Sequence, residues 1–141
     1  MSIDSYTIAF IGLGEAAFSI ISGWGNLRNN QIKAYDIKLH TVETKEEILA
    51  RANELGIRIK FSLQELVRDS DLIFSTVTAD QAFKVARESC QFIKKGTYFF
   101  DLNSCAPSSK QNFLLFPTLN LSFLTNPICS ANLQLLSTYD L

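Results

Sequence analysis

Glycine, a small side chain and a helix start, spaced along Gly12-Leu13-Gly14-Glu15-Ala16-Ala17, could hold a nucleotide pyrophosphate. The segment follows the apolar, partly β-branched run Thr7–Ile11 and precedes a helix-like pattern. Gly12 permits the tight turn after a strand. Gly14 has no side chain, so a phosphate can come close to its backbone. Ala17 is small enough for the helix to pack tightly on the strand. The helix N-terminus then offers free N–H groups and a positive dipole end. Taken alone, this glycine spacing is a weak signal, since a turn before any closely packed helix looks similar.

A second element strengthens it. Gln31–Asp36 reads as the next strand and ends in an acid 22 residues beyond Gly14. A carboxylate about 20 residues on would accept hydrogen bonds from the adenosine ribose hydroxyls. The plainer alternative for Asp36 is a residue capping a turn at the strand end. A carboxylate there disfavours a 2′-phosphate, so NAD is favoured, although Lys38 nearby leaves NADP open.

These residues need a scaffold, and the chain alternates strand and helix patterns up to about residue 110. Strands are expected at Thr7–Ile11, Ile32–Ile37, Ile57–Phe61, Asp71–Val77 and Thr97–Leu102. The first helix starts at Glu15 and is stopped by Gly23 and Gly25. The second spans Lys45–Leu55, opened by a Thr44/Glu47 capping box and closed by Gly56. Ser62 with Glu65 opens a short helix ending near Val67. Thr78 with Gln81 opens another, carrying Ala82, Val85, Ala86 and Phe92 at helical spacing and ending at Lys94-Lys95-Gly96. Pro107 suits the first turn of one more helix. The economical topology is α/β: a Rossmann-type doubly wound parallel sheet in three α/β/α layers with right-handed crossovers. Its ligand edge would gather Gly12–Ala17, Asp36, Thr76–Ala79 and Asn103–Ser104, all at carboxyl ends of strands.

Composition narrows the function. The chain has 141 residues, 47% of them hydrophobic, and a formal net charge of −1, which fits a globular domain without a basic nucleic-acid surface. The apolar stretch 6–24 carries Glu15 at its centre and no basic residue before Arg28, so neither a membrane span nor a signal peptide is expected, and a cytoplasmic location follows by default. Cys90, Cys105 and Cys129 lack metal-site spacing; inert thiols and no metal are expected. His40 reads as a surface residue. Of the 27 charged residues, only Asp140 lies beyond residue 110. Residues 1–110 therefore read as one domain and 111–141 as a charge-poor tail, with a strand expected at Leu119–Thr125 and an apolar surface suited to homodimer formation.

Three segments resemble the cofactor domain of the β-hydroxyacid dehydrogenases, the relatives of 3-hydroxyisobutyrate and 6-phosphogluconate dehydrogenase. They are Ile8–Ala17, Asp71–Ala82 and Phe100–Lys110, the last matching a D-x-(S/N)-(S/T)-x-x-P pattern. The resemblance implies that Gly12, Leu13, Gly14, Glu15 and Ala16 surround the pyrophosphate and that Asp36 holds the ribose. It places Thr76, Val77 and Thr78 along the cofactor's middle, and Asn103 and Ser104 beside the nicotinamide and a small hydroxyacid substrate. It implies hydride transfer between NAD(P) and that substrate. The family's helical C-terminal domain and its catalytic lysine have no match; Lys110 is the last lysine. The sequence thus reads as a truncated or frameshifted member that is not catalytically competent alone. A non-catalytic nucleotide-binding or interaction module is the alternative, and a methyltransferase fits the spacing less well.

Overall fold

The computed structural model describes residues 5–25, 31–103 and 120–122. Six strands form one sheet: β1 (Ile8–Ile11), β2 (Ile32–Tyr35), β3 (Arg58–Ile59), β4 (Leu72–Ser75), β5 (Tyr98–Asp101) and β6 (Asn120–Ser122). Four helices are described: α1 (Glu15–Trp24), α2 (Val42–Leu55), α3 (Leu63–Arg68) and α4 (Ala79–Ser89). The strand order is β3-β2-β1-β4-β5-β6 and every pairing is parallel. The order reverses between β1 and β4, which opens a crevice at the carboxyl edge. This is the expected α/β Rossmann-type sheet, and β6 falls within the strand expected at Leu119–Thr125.

The period-2 alternation of the strands sorts their side chains between two layers. Ile8, Phe10, Ile32 and Ala34 face α1 and α2, packing with Ala17, Ile21, Ile48 and Ala52. Ala9, Ile11, Ile73 and Phe99 face the opposite layer, against Leu63, Leu66 and Val67 of α3 and Ala82 and Ala86 of α4. Phe10, Phe74 and Phe100 stack in a row across β1, β4 and β5, with centroids 5.2 and 4.9 Å apart. Both faces of β1, the strand that delivers the glycine loop, are fully covered.

Several boundaries differ from the sequence reading, each for a local reason. Gly23 lies inside α1, and Gly25, at φ +69°, forms its cap. After β2, the chain makes a 3-10 turn at Ile37–His40, and α2 begins three residues early, at Val42. Thr41 is its N-cap, and the Thr44 hydroxyl donates instead to the Lys38 carbonyl at 2.9 Å, so the Thr44/Glu47 box does not form. Gly56 does close α2 in the left-handed conformation. Ser62 Oγ accepts from the Glu65 N–H at 3.2 Å, as expected at α3. The Thr78/Gln81 box is replaced by a Gln81–Asp80 side-chain bond. α4 stops at Ser89 rather than at Lys94; Phe92 still packs against the core from the turn beyond. The helix expected after Pro107 lies outside the described residues.

Candidate functional site

At the carboxyl edge the glycine loop is held from three sides. The Gly12 N–H donates to the Tyr35 carbonyl at 2.8 Å, continuing the β1–β2 ladder by one residue. The Gly12 carbonyl accepts from the Thr76 hydroxyl at 2.9 Å, tying the loop to the end of β4. At φ +90°, Gly12 sits so close to β4 that a Cβ would lie 2.6 Å from the Thr76 carbonyl oxygen. Glycine is thus required here by backbone crowding within the protein. Gly14 is different: it has an extended φ of −82° and nothing within 4 Å of a built Cβ. The space over Gly14 is open, and it faces the cavity.

Leu13 is fixed more firmly than its neighbours. Its side chain is fully buried in the core. Its N–H donates to Asp36 Oδ2 at 2.8 Å, and its carbonyl accepts from Arg51 Nη1 at 3.1 Å. Arg51 also ion-pairs with Glu15 at 2.6 Å and with Glu47, one turn back on α2, at 2.8 Å. Glu15, the first residue of α1, is mostly exposed.

The cavity has a volume of about 380 Å³. Gly12, Gly14, Glu15 and Ala16 form its glycine-loop wall, and Thr76, Val77 and Thr78 form the wall beside β4. Tyr35, Asp36, Ile37 and Lys38 close the end below β2, opposite Gln81, Lys84, Val85 and Glu88 of α4. The first-turn N–H groups of α1 have no acceptor within the helix, and Gly14 brings no capping side chain. An anion at this edge meets those N–H groups, the helix dipole and open space. The lining runs from the helix N-terminus at Gly14–Ala16 to the acid Asp36 at the end of β2. Burial raises the Tyr35 phenol above its ordinary pKa, reinforced by Glu88 and Asp36, so it stays a neutral wall and hydrogen-bond donor.

Most of the residues singled out from sequence meet here, with differences at Leu13, Asp36 and Asn103. Leu13 contributes no lining atom, because its side chain serves the core and its N–H is engaged by Asp36. Asp36 lines the cavity yet also plays the plainer role: Oδ1 accepts from the Lys38 N–H at 2.9 Å and caps the 3-10 turn. Asn103 is buried outside the cavity lining, its amide donating to Asp101 Oδ1 at 2.6 Å and Ser75 Oγ at 3.1 Å. It joins the carboxyl ends of β4 and β5. Ser104 lies outside the described residues. Arg51 was not singled out from sequence, because a cation one turn after Glu47 on an amphipathic helix reads as a solvated surface pair. Among the described residues no three His, Cys, Asp or Glu side chains gather as a metal site, and no helix is long and apolar enough to cross a membrane.

Comparison with known proteins agrees with this geometry. The family described as NADP oxidoreductase, coenzyme F420-dependent, matches residues 7–102. A conserved hypothetical protein of Sinorhizobium meliloti 1021 is 30% identical, with a TM-score of 0.75 over 86% of this chain and 42% of its own. The 3-hydroxyisobutyrate dehydrogenase of Mycobacterium tuberculosis shares the fold at 18% identity and a TM-score of 0.66, over 85% of this chain and 39% of that one. An imine reductase of Myxococcus stipitatus, solved with NADP+, does so at 19% and 0.62, over 84% and 39%. The chain spans about two fifths of the length of each. The resemblance to the β-hydroxyacid dehydrogenases therefore holds at the level of the N-terminal NAD(P)-binding domain.

Proposed function

Because the chain belongs to the NADP oxidoreductase, coenzyme F420-dependent family, we propose that this domain binds a nicotinamide dinucleotide along the Gly12–Asp36 cavity for hydride transfer to or from a small β-hydroxyacid. The observation that carries the reading is the open space over Gly14 at the uncapped start of α1, continuous with the Asp36 end of the cavity. When bound, the nicotinamide supplies the hydride chemistry. The chain's own residues position it. The α1 N-terminus receives the pyrophosphate, Thr76–Thr78 flank the middle, and Asp36 accepts from the ribose through the lone pairs its backbone bonds leave free. In this reading Asn103 acts from behind, holding the end of β5 in register with β4, and Ser104 adjoins the substrate. Residues 1–110 carry these groups, and the charge-poor tail adds an edge strand.

The Asp36 carboxylate at the ribose end supports NADH over NADPH. Lys38 and Lys84 both line the cavity, and the family description names NADP; these favour a second reading in which NADPH is accepted. Calorimetric titration of the purified chain with NADH and NADPH tests both. Saturable binding of either supports the cofactor role, and the tighter one settles the preference. Absence of binding by a folded chain refutes the proposal.

A further inference from the structure

Glu15 places a carboxylate at the mouth of the proposed phosphate site, on the first residue of α1. A carboxylate there is favourable for the empty helix, since it faces the positive dipole end. It is unfavourable once a doubly charged pyrophosphate arrives. The structure supplies a compensating charge from 36 residues away. Arg51 Nη2 lies 2.6 Å from Glu15 Oε1, while Nη1 of the same guanidinium grips the Leu13 carbonyl. Arg51 is only 21% exposed, and Glu47 behind it fixes its reach. The planar fork therefore holds the glycine loop and the Glu15 carboxylate together. Arg51 does not itself line the cavity.

We infer that Arg51 is a positioning residue for dinucleotide binding: it neutralises Glu15 and turns its carboxylate away from the pyrophosphate. The inference rests on the dinucleotide reading above. Its consequence is a specific non-additivity. Arg51→Gln removes the charge and shortens the side chain, leaving Glu15 free to repel the ligand. The dissociation constant rises roughly tenfold, the scale of one uncompensated charge near a protein surface. Adding Glu15→Gln removes the repelling group, and affinity returns to within about threefold of wild type. A guanidinium that touched phosphate directly would give a loss that the second substitution cannot repair. Because the Glu15 carboxylate is exposed to solvent, the single-variant defect also shrinks at high salt.

The test is fluorescence titration with NADH and NADPH of wild type, Arg51→Gln, Arg51→Lys and Arg51→Gln/Glu15→Gln, at about 20 and 500 mM salt. Thermal melts establish that each variant is folded. The inference predicts a weakened Arg51→Gln, an Arg51→Lys that keeps the charge but not the fork and so loses less affinity than Arg51→Gln, and recovery in the double variant. Unaltered binding by Arg51→Gln, or a defect persisting in the double variant, overturns it. Should Arg51→Gln not fold, Arg51→Lys and the double variant still decide: a full loss of about tenfold in both refutes charge compensation. Wild-type chain that binds neither nucleotide refutes the dinucleotide reading instead, so the two failures are distinguishable.

Discussion

Alanine at Gly12 and alanine at Gly14 should separate stability from binding, although both replace a glycine of one short motif. At Gly12 the new methyl meets backbone: the Thr76 carbonyl oxygen at 2.6 Å, its carbon at 3.0 Å and Val77 Cγ1 at 3.3 Å. The Thr76 backbone, tied to the Ile11 carbonyl at 2.9 Å just past the end of β4, cannot yield cheaply. The φ of +90° adds strain that L-residues bear poorly. Strain and overpacking together cost about 2–5 kcal/mol. For a domain of this size that lowers the melting midpoint by at least about 8 °C. At Gly14 the methyl meets nothing within 4 Å, and φ is already extended. Loss of a favoured N-cap residue and gain from a stiffer unfolded chain are each below about 1 kcal/mol. The Gly14→Ala midpoint should stay within about 4 °C of wild type. Its binding should not. A methyl over the first turn blocks close approach of a phosphate to the N–H groups, and loss of even one charge-assisted hydrogen bond is worth about tenfold in affinity. Melting followed by Trp24 fluorescence and NADPH titration measure both quantities. Wild-type affinity in Gly14→Ala would refute the placement of the pyrophosphate, whatever the melting data show.

Asp36→Ala leaves the Leu13 and Lys38 N–H groups without their acceptor; it should destabilise the fold by about 1–3 kcal/mol in urea melts and weaken NADH binding more than NADPH binding, and equal losses would reduce Asp36 to its loop-holding role. Burial alone would raise the Asp71 carboxyl, but the Lys94 ammonium at 2.7 Å and the Thr7 N–H at 2.8 Å outweigh it and hold the pKa below its ordinary value. A depressed folded-state pKa contributes stability that is present above the unfolded pKa and lost as pH falls through the folded one. The stability gap between wild type and Asp71→Asn should therefore be largest near neutrality and close below about pH 4; a gap independent of pH would refute the pairing. Burial pushes the Cys90 thiol up to about 11. Iodoacetamide at pH 8 should label Cys90 in the folded chain far more slowly than in urea, with peptide mass spectrometry as the readout; equal rates would contradict its burial.

The sheet was legible because each strand carries its own local signature. The apolar runs Ile8–Ile11 and Leu72–Ser75 lie between polar breaks and have the length of a buried parallel strand, and the short segment at Asn120–Ser122 could be read as a strand even in a tail without helical pattern. Boundaries failed where a competing interaction had no sequence signature. The start of α2 moved because Asp36 caps a 3-10 turn that carries the chain directly to Thr41. The end of α4 moved because Phe92 and Ile93 bury themselves from a turn, which helical spacing cannot distinguish from one more helical turn.

The site divides along the same line. Gly12, Gly14 and Asp36 were visible because their spacing follows from one strand, one turn and one crossover. What holds them was not visible. Leu13 is gripped by Asp36 from β2 and by Arg51 from α2, partners 23 and 38 residues away that meet only once the crossover helix has docked. A motif read along the chain shows which backbone a phosphate can approach. The groups that fix that backbone, and that decide the sign of the charge beside it, come from the next layer of the fold. Arg51 is the case in point: as a helix residue it pairs with Glu47 at i,i+4, a contact worth little by itself. Packed over the glycine loop, the same guanidinium cancels the one carboxylate that the motif sets at the phosphate mouth, which is why the double substitution tests more of the site than any single one.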